Sequence, residues 1–156
     1  MSKISQQKGF TLIEILVVIG LIAILAAIVL IAINPARQFA QARNSQRESN
    51  VNTILNAIGQ RLADNKGVWN AVAGCDAIPA GTTTISSAAT DLSCLTPTYI
   101  PAQLPVDPTD GTWTSGSSYD TKYVVAYNST TGRYTICAPE YSEAALGSPS
   151  QYCLSR

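Results

Sequence analysis

Histidine is absent from the 156-residue sequence, and charged residues make up only 13% of it. The absence of histidine excludes a Ser-His-Asp triad, a Cys-His nucleophile pair and every zinc site with an imidazole ligand. Glycine-rich phosphate-binding motifs are also missing, so we expect a protein that is not an enzyme. The 10 basic residues only balance the 10 acidic ones, which makes DNA a secondary partner at most.

What the sequence does have is one long hydrophobic run near its N-terminus. Residues 15–33 are 19 consecutive positions without a charge. As a helix they would rise about 28 Å, close to the roughly 30 Å hydrocarbon core of a bilayer. A secretory signal has its small-residue cleavage site after the apolar run, whereas here Gly9 precedes it. Cleavage at Gly9 would therefore leave a membrane anchor on the mature chain.

The residues around Gly9 form a recognisable pattern. Lys8 and Gly9 are followed by Phe-Thr-Leu-Ile, by Glu14 and then by the apolar run. This pattern resembles the class III leader of type IV pilins and type II secretion pseudopilins. The resemblance implies that a prepilin peptidase cleaves after Gly9 and N-methylates Phe10. It also implies a helical homo-oligomer, assembled by an inner-membrane platform protein and an ATPase.

Glu14 is the only acidic residue in the first 47 positions, and it directly precedes the apolar run. An unpaired charge is costly in an apolar environment, so Glu14 needs a cation. The nearest candidate is the amine that cleavage creates on Phe10, in the same chain or in an adjacent subunit. The family resemblance favours the adjacent subunit, where such a pair would set the register of assembly.

A second helical pattern follows the anchor. Apolar residues recur at helical spacing at Val51, Ile54, Leu55, Ile58 and Leu62, with polar residues between them. We expect Arg43 and Arg47 to be solvated or to contact lipid head groups. Pro35 lacks the amide that a continuous helix needs and predicts a kink or a short unwound stretch, and Gly20 is a second weak point.

The C-terminal part of the chain predicts a small β domain. Residues 122–128 and 133–138 are β-rich and are separated by Ser-Thr-Thr-Gly, which indicates an antiparallel hairpin. A sheet covering the amphipathic stripe gives an α+β fold of the type IV pilin kind. The expected divisions are a leader (1–9), a transmembrane and filament-core helix (10–35), an amphipathic half (36–66) and an extracytoplasmic β domain (67–156).

Four cysteines lie in this domain, and three disulfide pairings are open to them. We favour the nearest-neighbour pairing, Cys75 with Cys94 and Cys137 with Cys153, because it closes two loops of comparable size. A four-thiolate zinc site is the competitor, but no C-x-x-C pair is present. Disulfides persist outside the cytoplasm, which places the leader inside and the domain outside.

Residues 104–108, Leu-Pro-Val-Asp-Pro, resemble a segment of major pseudopilins in which a nearby loop binds calcium. Asp107, Asp110 and Asp120 are weak candidates for calcium ligands, although Pro-Thr-Asp-Gly after this segment is typical of an ordinary turn. No other metal or cofactor is expected. Asn128-Ser-Thr matches a glycosylation sequon, but a hairpin turn is the preferred interpretation.

Two functions fit these features. The first is a major pilin, held in the cytoplasmic membrane before assembly and then part of a surface pilus for adhesion, motility or DNA uptake. The alternative is a major pseudopilin acting as a secretion piston. The cysteines and the position of Pro35 favour the pilin, and Leu-Pro-Val-Asp-Pro favours the pseudopilin. A membrane-anchored enzyme, a third class, lacks any catalytic constellation.

Overall fold

The computed structural model describes residues 9–32, 34–147 and 150–156, so most of the expected leader lies outside the described residues. The described part contains two α-helices, five strands and two short 3-10 helices, Ser93–Leu95 and Pro139–Tyr141. Only the α-helices and strands are numbered. They are α1 (Leu12–Ala32), α2 (Pro35–Asp64), β1 (Thr83–Ser86), β2 (Thr112–Ser115), β3 (Ser118–Asn128), β4 (Arg133–Ala138) and β5 (Tyr152–Ser155). The chain divides into two compact units, residues 1–38 and residues 39–156.

The first unit is dominated by the apolar helix α1. Residues 12–30 are long and apolar enough to cross a membrane, by length and composition. Every described side chain from Phe10 to Leu30 is exposed, and Phe10 is 86% exposed. A continuous apolar surface of this size is stable only against lipid or against other protein.

The boundary between the helices falls at the expected proline. Helix α1 ends at Ala32 and α2 begins at Pro35, where the missing amide costs nothing because first-turn amides have no intrahelical acceptor. The side-chain oxygen of Asn34 accepts a hydrogen bond from the backbone N–H of Arg37 at 3.3 Å, so Asn34 caps α2. Gly20, in contrast, is an ordinary helical residue within α1.

In the second unit, the strands form one antiparallel sheet. Its order is β1-β3-β4-β5, and β2 also pairs with β3. The predicted hairpin is confirmed as β3 and β4, with Tyr127 opposite Tyr134 and Asn128 opposite Arg133 at its turn. The carboxamide of Asn128 accepts bonds from the amides of Thr130 and Thr131, as expected for an asparagine that begins a turn.

One hydrophobic core joins α2 to this sheet. The predicted stripe contributes Val51, Ile54, Leu55 and Ile58, all at most 2% exposed, while Leu62 is only partly buried. Tyr123, Val125 and Ile136 contribute to the core from the sheet, and Leu92, Leu95 and Leu104 contribute from the segment between β1 and β2. The α+β prediction is therefore confirmed.

Two disulfides staple the second unit. Cys75 is bonded to Cys94, and Cys137 is bonded to Cys153. Cys137 and Cys153 lie opposite each other on β4 and β5, so this bond holds the C-terminal strand on the sheet. Loops of this size contribute about 3 kcal/mol each on the chain-entropy model, which is substantial for a small core.

Candidate functional site

The residues of the expected processing and assembly site lie together at the start of α1. Gly9, Phe10 and Thr11 precede the first helical residue, Leu12. Glu14 Oε2 accepts hydrogen bonds from the Thr11 N–H at 2.8 Å and from its hydroxyl at 2.7 Å. In return, Thr11 Oγ1 accepts a bond from the Glu14 N–H at 3.3 Å. These reciprocal contacts make a capping box, in which Thr11 is the N-cap residue.

Thr11 is not among the predicted site residues, although Thr-x-x-Glu before an apolar run is a known signal for a capping box. The capping box uses only one oxygen of the Glu14 carboxylate. Within the described residues, Oε1 accepts no hydrogen bond. Glu14 can therefore hold the start of its own helix through Oε2 while Oε1 stays available to an ammonium group.

A second polar site is centred on Arg47, whose side chain is only 2% exposed. Its Nε and Nη2 donate to the two carboxylate oxygens of Asp107 at 2.7 and 3.2 Å. Nη1 donates to Glu143 at 2.6 Å and to Asn44 Oδ1 at 2.9 Å. Nη2 also donates to Thr109 Oγ1 at 2.9 Å. All five N–H donors of the guanidinium thus have acceptors, as a buried arginine requires.

Arg43 adds a fourth charge to this network. It binds Glu143 through two bonds of 2.7 Å, and its side chain is 38% exposed. Because Arg43 and Arg47 share Glu143, the network joins α2 to the segment before β2 and to the segment between β4 and β5. We call Arg43, Arg47, Asp107 and Glu143 the ion-pair network.

The expectation that Arg47 is solvated or touches head groups is wrong. Ala40, Asn44, Arg47 and Val51 are all buried, and their spacing of four, three and four residues continues the apolar stripe toward the start of α2. The side chain at position 47 therefore lies on the buried face of α2, inside the second unit. The spacing is the signal in the sequence that indicates a buried Arg47, whereas its charge alone favours the polar face of the helix.

In the described part of the chain, the three aspartates named as weak calcium candidates do not come together as a group of ligands. Asp107 is bound by Arg47, while Asp120 pairs with Lys122 at 2.7 Å. Nowhere in the described ranges do three or more metal-ligating side chains come together. Residues 107–111 instead form a turn closed by a bond from Gly111 N–H to Asp107 O, where a Cβ on Gly111 would lie 2.7 Å from that oxygen. The turn therefore requires glycine.

The arginines make both carboxylates of the network strongly acidic. The hydrogen bonds from Arg43, joined by those from Arg47, lower the pKa of Glu143 to about 2. Burial opposes ionisation of Asp107, but bonds from Arg47 and from the Thr109 amide outweigh it, and its pKa lies below the ordinary value. Both carboxylates are thus ionised at neutral pH.

These pKa shifts predict a loss of stability in acid. A carboxyl whose pKa is lowered by folding contributes stability that is complete above its unfolded pKa, 4.5 for Glu143, and is lost as the pH falls toward about 2. Denaturant unfolding of the purified chain, followed by tryptophan fluorescence, should show this decline. Between pH 4.5 and about 2, Glu143→Gln should make the free energy of unfolding fall less steeply with decreasing pH. Glu140→Gln, at an exposed position, should leave this pH dependence unchanged. Equal slopes in wild type and Glu143→Gln would contradict the assignment.

Comparison with known proteins bears on the N-terminal site. Residues 4–30 match the family model described as the prokaryotic N-terminal methylation motif, the hallmark of type IV pilins and pseudopilins. Neither curated proteins nor solved structures give a significant match. The matched residues include Gly9, Phe10, Thr11 and Glu14, so the capping box lies inside the motif. The chain therefore carries the N-terminal methylation motif that is the hallmark of that family, and its α+β layout of helices and sheet is consistent with a pilin-like fold.

Proposed function

We propose that this protein is a major pilin, the structural subunit of a type IV pilus. The observation that favours a pilin over a pseudopilin is the pair of disulfides, above all the Cys137–Cys153 bond that holds the C-terminal strand. A subunit displayed on the cell surface must keep its fold in an oxidising environment. Covalent staples serve that purpose in a domain with a small core.

The proposed mechanism begins with a subunit stored in the membrane through α1. Prepilin peptidase removes the leader after Gly9 and methylates Phe10, and the assembly ATPase and platform protein then move the subunit into the filament. There, α1 exchanges lipid for the α1 helices of other subunits. Adhesion, motility or DNA uptake would follow from the polymer.

Assembly requires the leader to be removed first. Lys3 and Lys8 would otherwise enter the apolar filament core without partners, and burying such charges is costly. The new Phe10 amine would pair with Glu14 of an adjacent subunit through Oε1, the oxygen that the capping box does not use. This contact would set the axial register of each incoming subunit.

A pseudopilin is the second candidate, because Leu104-Pro-Val-Asp-Pro108 is similar to a pseudopilin segment. Support for this alternative is weakened by Asp107, the acidic residue of that segment, which binds Arg47. In this chain the segment connects α2 to the sheet.

Two measurements test the proposal: electron microscopy of surface filaments and mass analysis of the subunit's N-terminus. We expect material sheared from host cells to contain long filaments of this chain by electron microscopy. Intact-mass analysis should give a subunit that begins at Phe10 and carries one added methyl group. Assembled subunits that retain Met1–Gly9 would contradict the processing step, and a methylated chain found only in the cell envelope would favour the pseudopilin.

A further inference from the structure

An aromatic groove lies at the end of the hydrophobic core, beside the C-terminus of α2. Its volume is about 330 Å³, and Trp69, Tyr127 and Tyr134 line it above a floor that includes Ile78. The ring centroids of Tyr127 and Tyr134 are 4.7 Å apart, and those of Trp69 and Tyr134 are 6.2 Å apart. These four residues define the aromatic groove, whose volume is at the small end of the roughly 300–1,000 Å³ typical of ligand pockets.

The rings of the groove are held in place by contacts outside it. Trp69 Nε1 donates a hydrogen bond to the carbonyl oxygen of Asp76 at 2.8 Å. The Arg61 guanidinium lies 5.1 Å from the centroid of the Trp69 ring. Tyr127 and Tyr134 are direct cross-strand partners on β3 and β4. A ligand would therefore meet rings that are already positioned, which lowers the entropic cost of binding.

The groove also offers polar groups that the fold does not use. Within the described residues, the hydroxyls of Tyr127 and Tyr134 have no hydrogen-bond partner, whereas those of Tyr119 and Tyr141 bind carboxylates. Both rings are only partly buried. The groove thus combines aromatic faces with two free hydroxyls at one location.

The charges in and around the groove further restrict the class of ligand that could bind there. None of the residues lining the groove is charged, so neither an anion nor a cation would find an ion-pair partner in it. The Arg61 guanidinium beside Trp69 would in addition repel a cation. Its Nη2 already donates to the carbonyl oxygen of Asn70 at 2.9 Å. These features favour a neutral ligand with flat apolar faces and hydroxyl groups at its edges.

We propose that the aromatic groove binds a neutral carbohydrate. A pyranose ring presents C–H groups on its faces, which stack on aromatic rings, and hydroxyls around its edge, which pair with tyrosine hydroxyls. The groove lies entirely within residues 39–156, so the proposal goes beyond the polymer function and holds for a pilin and a pseudopilin alike.

Sugar titrations of the processed full chain test this proposal. The protein is kept in a detergent without sugar head groups, and cellotetraose, chitotetraose and maltotetraose are added up to about 10 mM. The chain has two tryptophans, so a Trp113→Phe background leaves Trp69 as the only source of tryptophan emission. This substitution does not alter the groove, because Trp113 packs on Tyr119 outside it. We expect at least one sugar to shift the Trp69 emission, with a dissociation constant on the order of 1 mM.

Conservative variants separate binding from folding. Tyr134→Phe and Tyr127→Phe keep the rings but remove one hydroxyl, and each should weaken binding about fivefold. Tyr134→Ala, which removes the stacking ring, should weaken it at least about tenfold. Tyr152→Phe is the matched control, because Tyr152 packs on Tyr141 outside the groove, and it should bind like the parent protein.

Three outcomes would overturn the proposal. The first is an emission that none of the three sugars changes. The second is a response that Tyr134→Phe and Tyr152→Phe leave equally intact, which would place the sugar elsewhere. The third is a Trp69 that is shielded from a soluble quencher in filaments but not in dispersed subunits, which would show that a second copy of the chain occupies the groove.

Discussion

Glu14→Gln should abolish filament formation or nearly do so, while cleavage after Gly9 proceeds normally. Glutamine can still accept a hydrogen bond from the Thr11 N–H, so this variant keeps much of the capping box and removes only the charge. The Phe10 amine of the adjacent subunit would then enter an apolar core unpaired, at a large energetic cost. Filament yield by electron microscopy and leader removal by mass spectrometry measure the two steps separately.

Two further variants identify which property of Glu14 matters. Glu14→Ala removes both the cap and the charge and should fail to assemble, like Glu14→Gln. Thr11→Val loses the hydroxyl contacts but keeps the carboxylate, and it should assemble with only a moderate loss of yield. Normal yields from both Glu14 variants would refute the charge-pair mechanism. If Thr11→Val abolished filaments as completely as Glu14→Gln, the cap rather than the charge would be essential.

Arg47→Met should strongly destabilise the second unit. The substitution keeps a long side chain but leaves Asp107, 2% exposed, without its cation. Breaking a buried ion pair from one side costs about 3–5 kcal/mol, a large part of the roughly 5–15 kcal/mol that stabilises a typical domain. Guanidinium unfolding of the purified chain, followed by tryptophan fluorescence, measures the change in the free energy of unfolding.

A matched arginine and a double variant complete this experiment. Arg43→Met removes a partly exposed arginine from the same network and should cost no more than about 1 kcal/mol. Adding Asp107→Asn to Arg47→Met should recover part of the lost stability, because the remaining partner is then neutral. Equal effects of Arg43→Met and Arg47→Met, with no recovery in the double variant, would show that the buried pair is not the source of stability.

Local patterns in the sequence were sufficient to predict most of the architecture. The apolar run without charges, the proline at position 35 and the paired β-rich segments each act over a few residues. The structure has the corresponding features: α1, the boundary between α1 and α2, and the β3–β4 hairpin. The N-terminal methylation motif is local in the same way, and residues 4–30 match its family model.

The environment of charged side chains could not be predicted in the same way. Arg47 has a residue type that normally faces water, and its partner Asp107 is 60 positions away. Only the packing of α2 against the loop before β2 shows that the guanidinium is buried and fully bonded. For the same reason, the sequence leaves Asp107 as a weak calcium candidate beside the preferred turn, because no local pattern shows that Arg47 is its partner.

The sequence by itself determined where the chain forms a membrane-length helix, where that helix ends and which hairpin follows, because backbone propensity and hydrophobic periodicity are local properties. Tertiary structure alone decided which side chains meet. It brought Arg47 to Asp107 and Glu143, and it set Trp69 beside Tyr134 at the aromatic groove. Such contacts depend on how α2 and the sheet pack, and no short stretch of sequence encodes that packing.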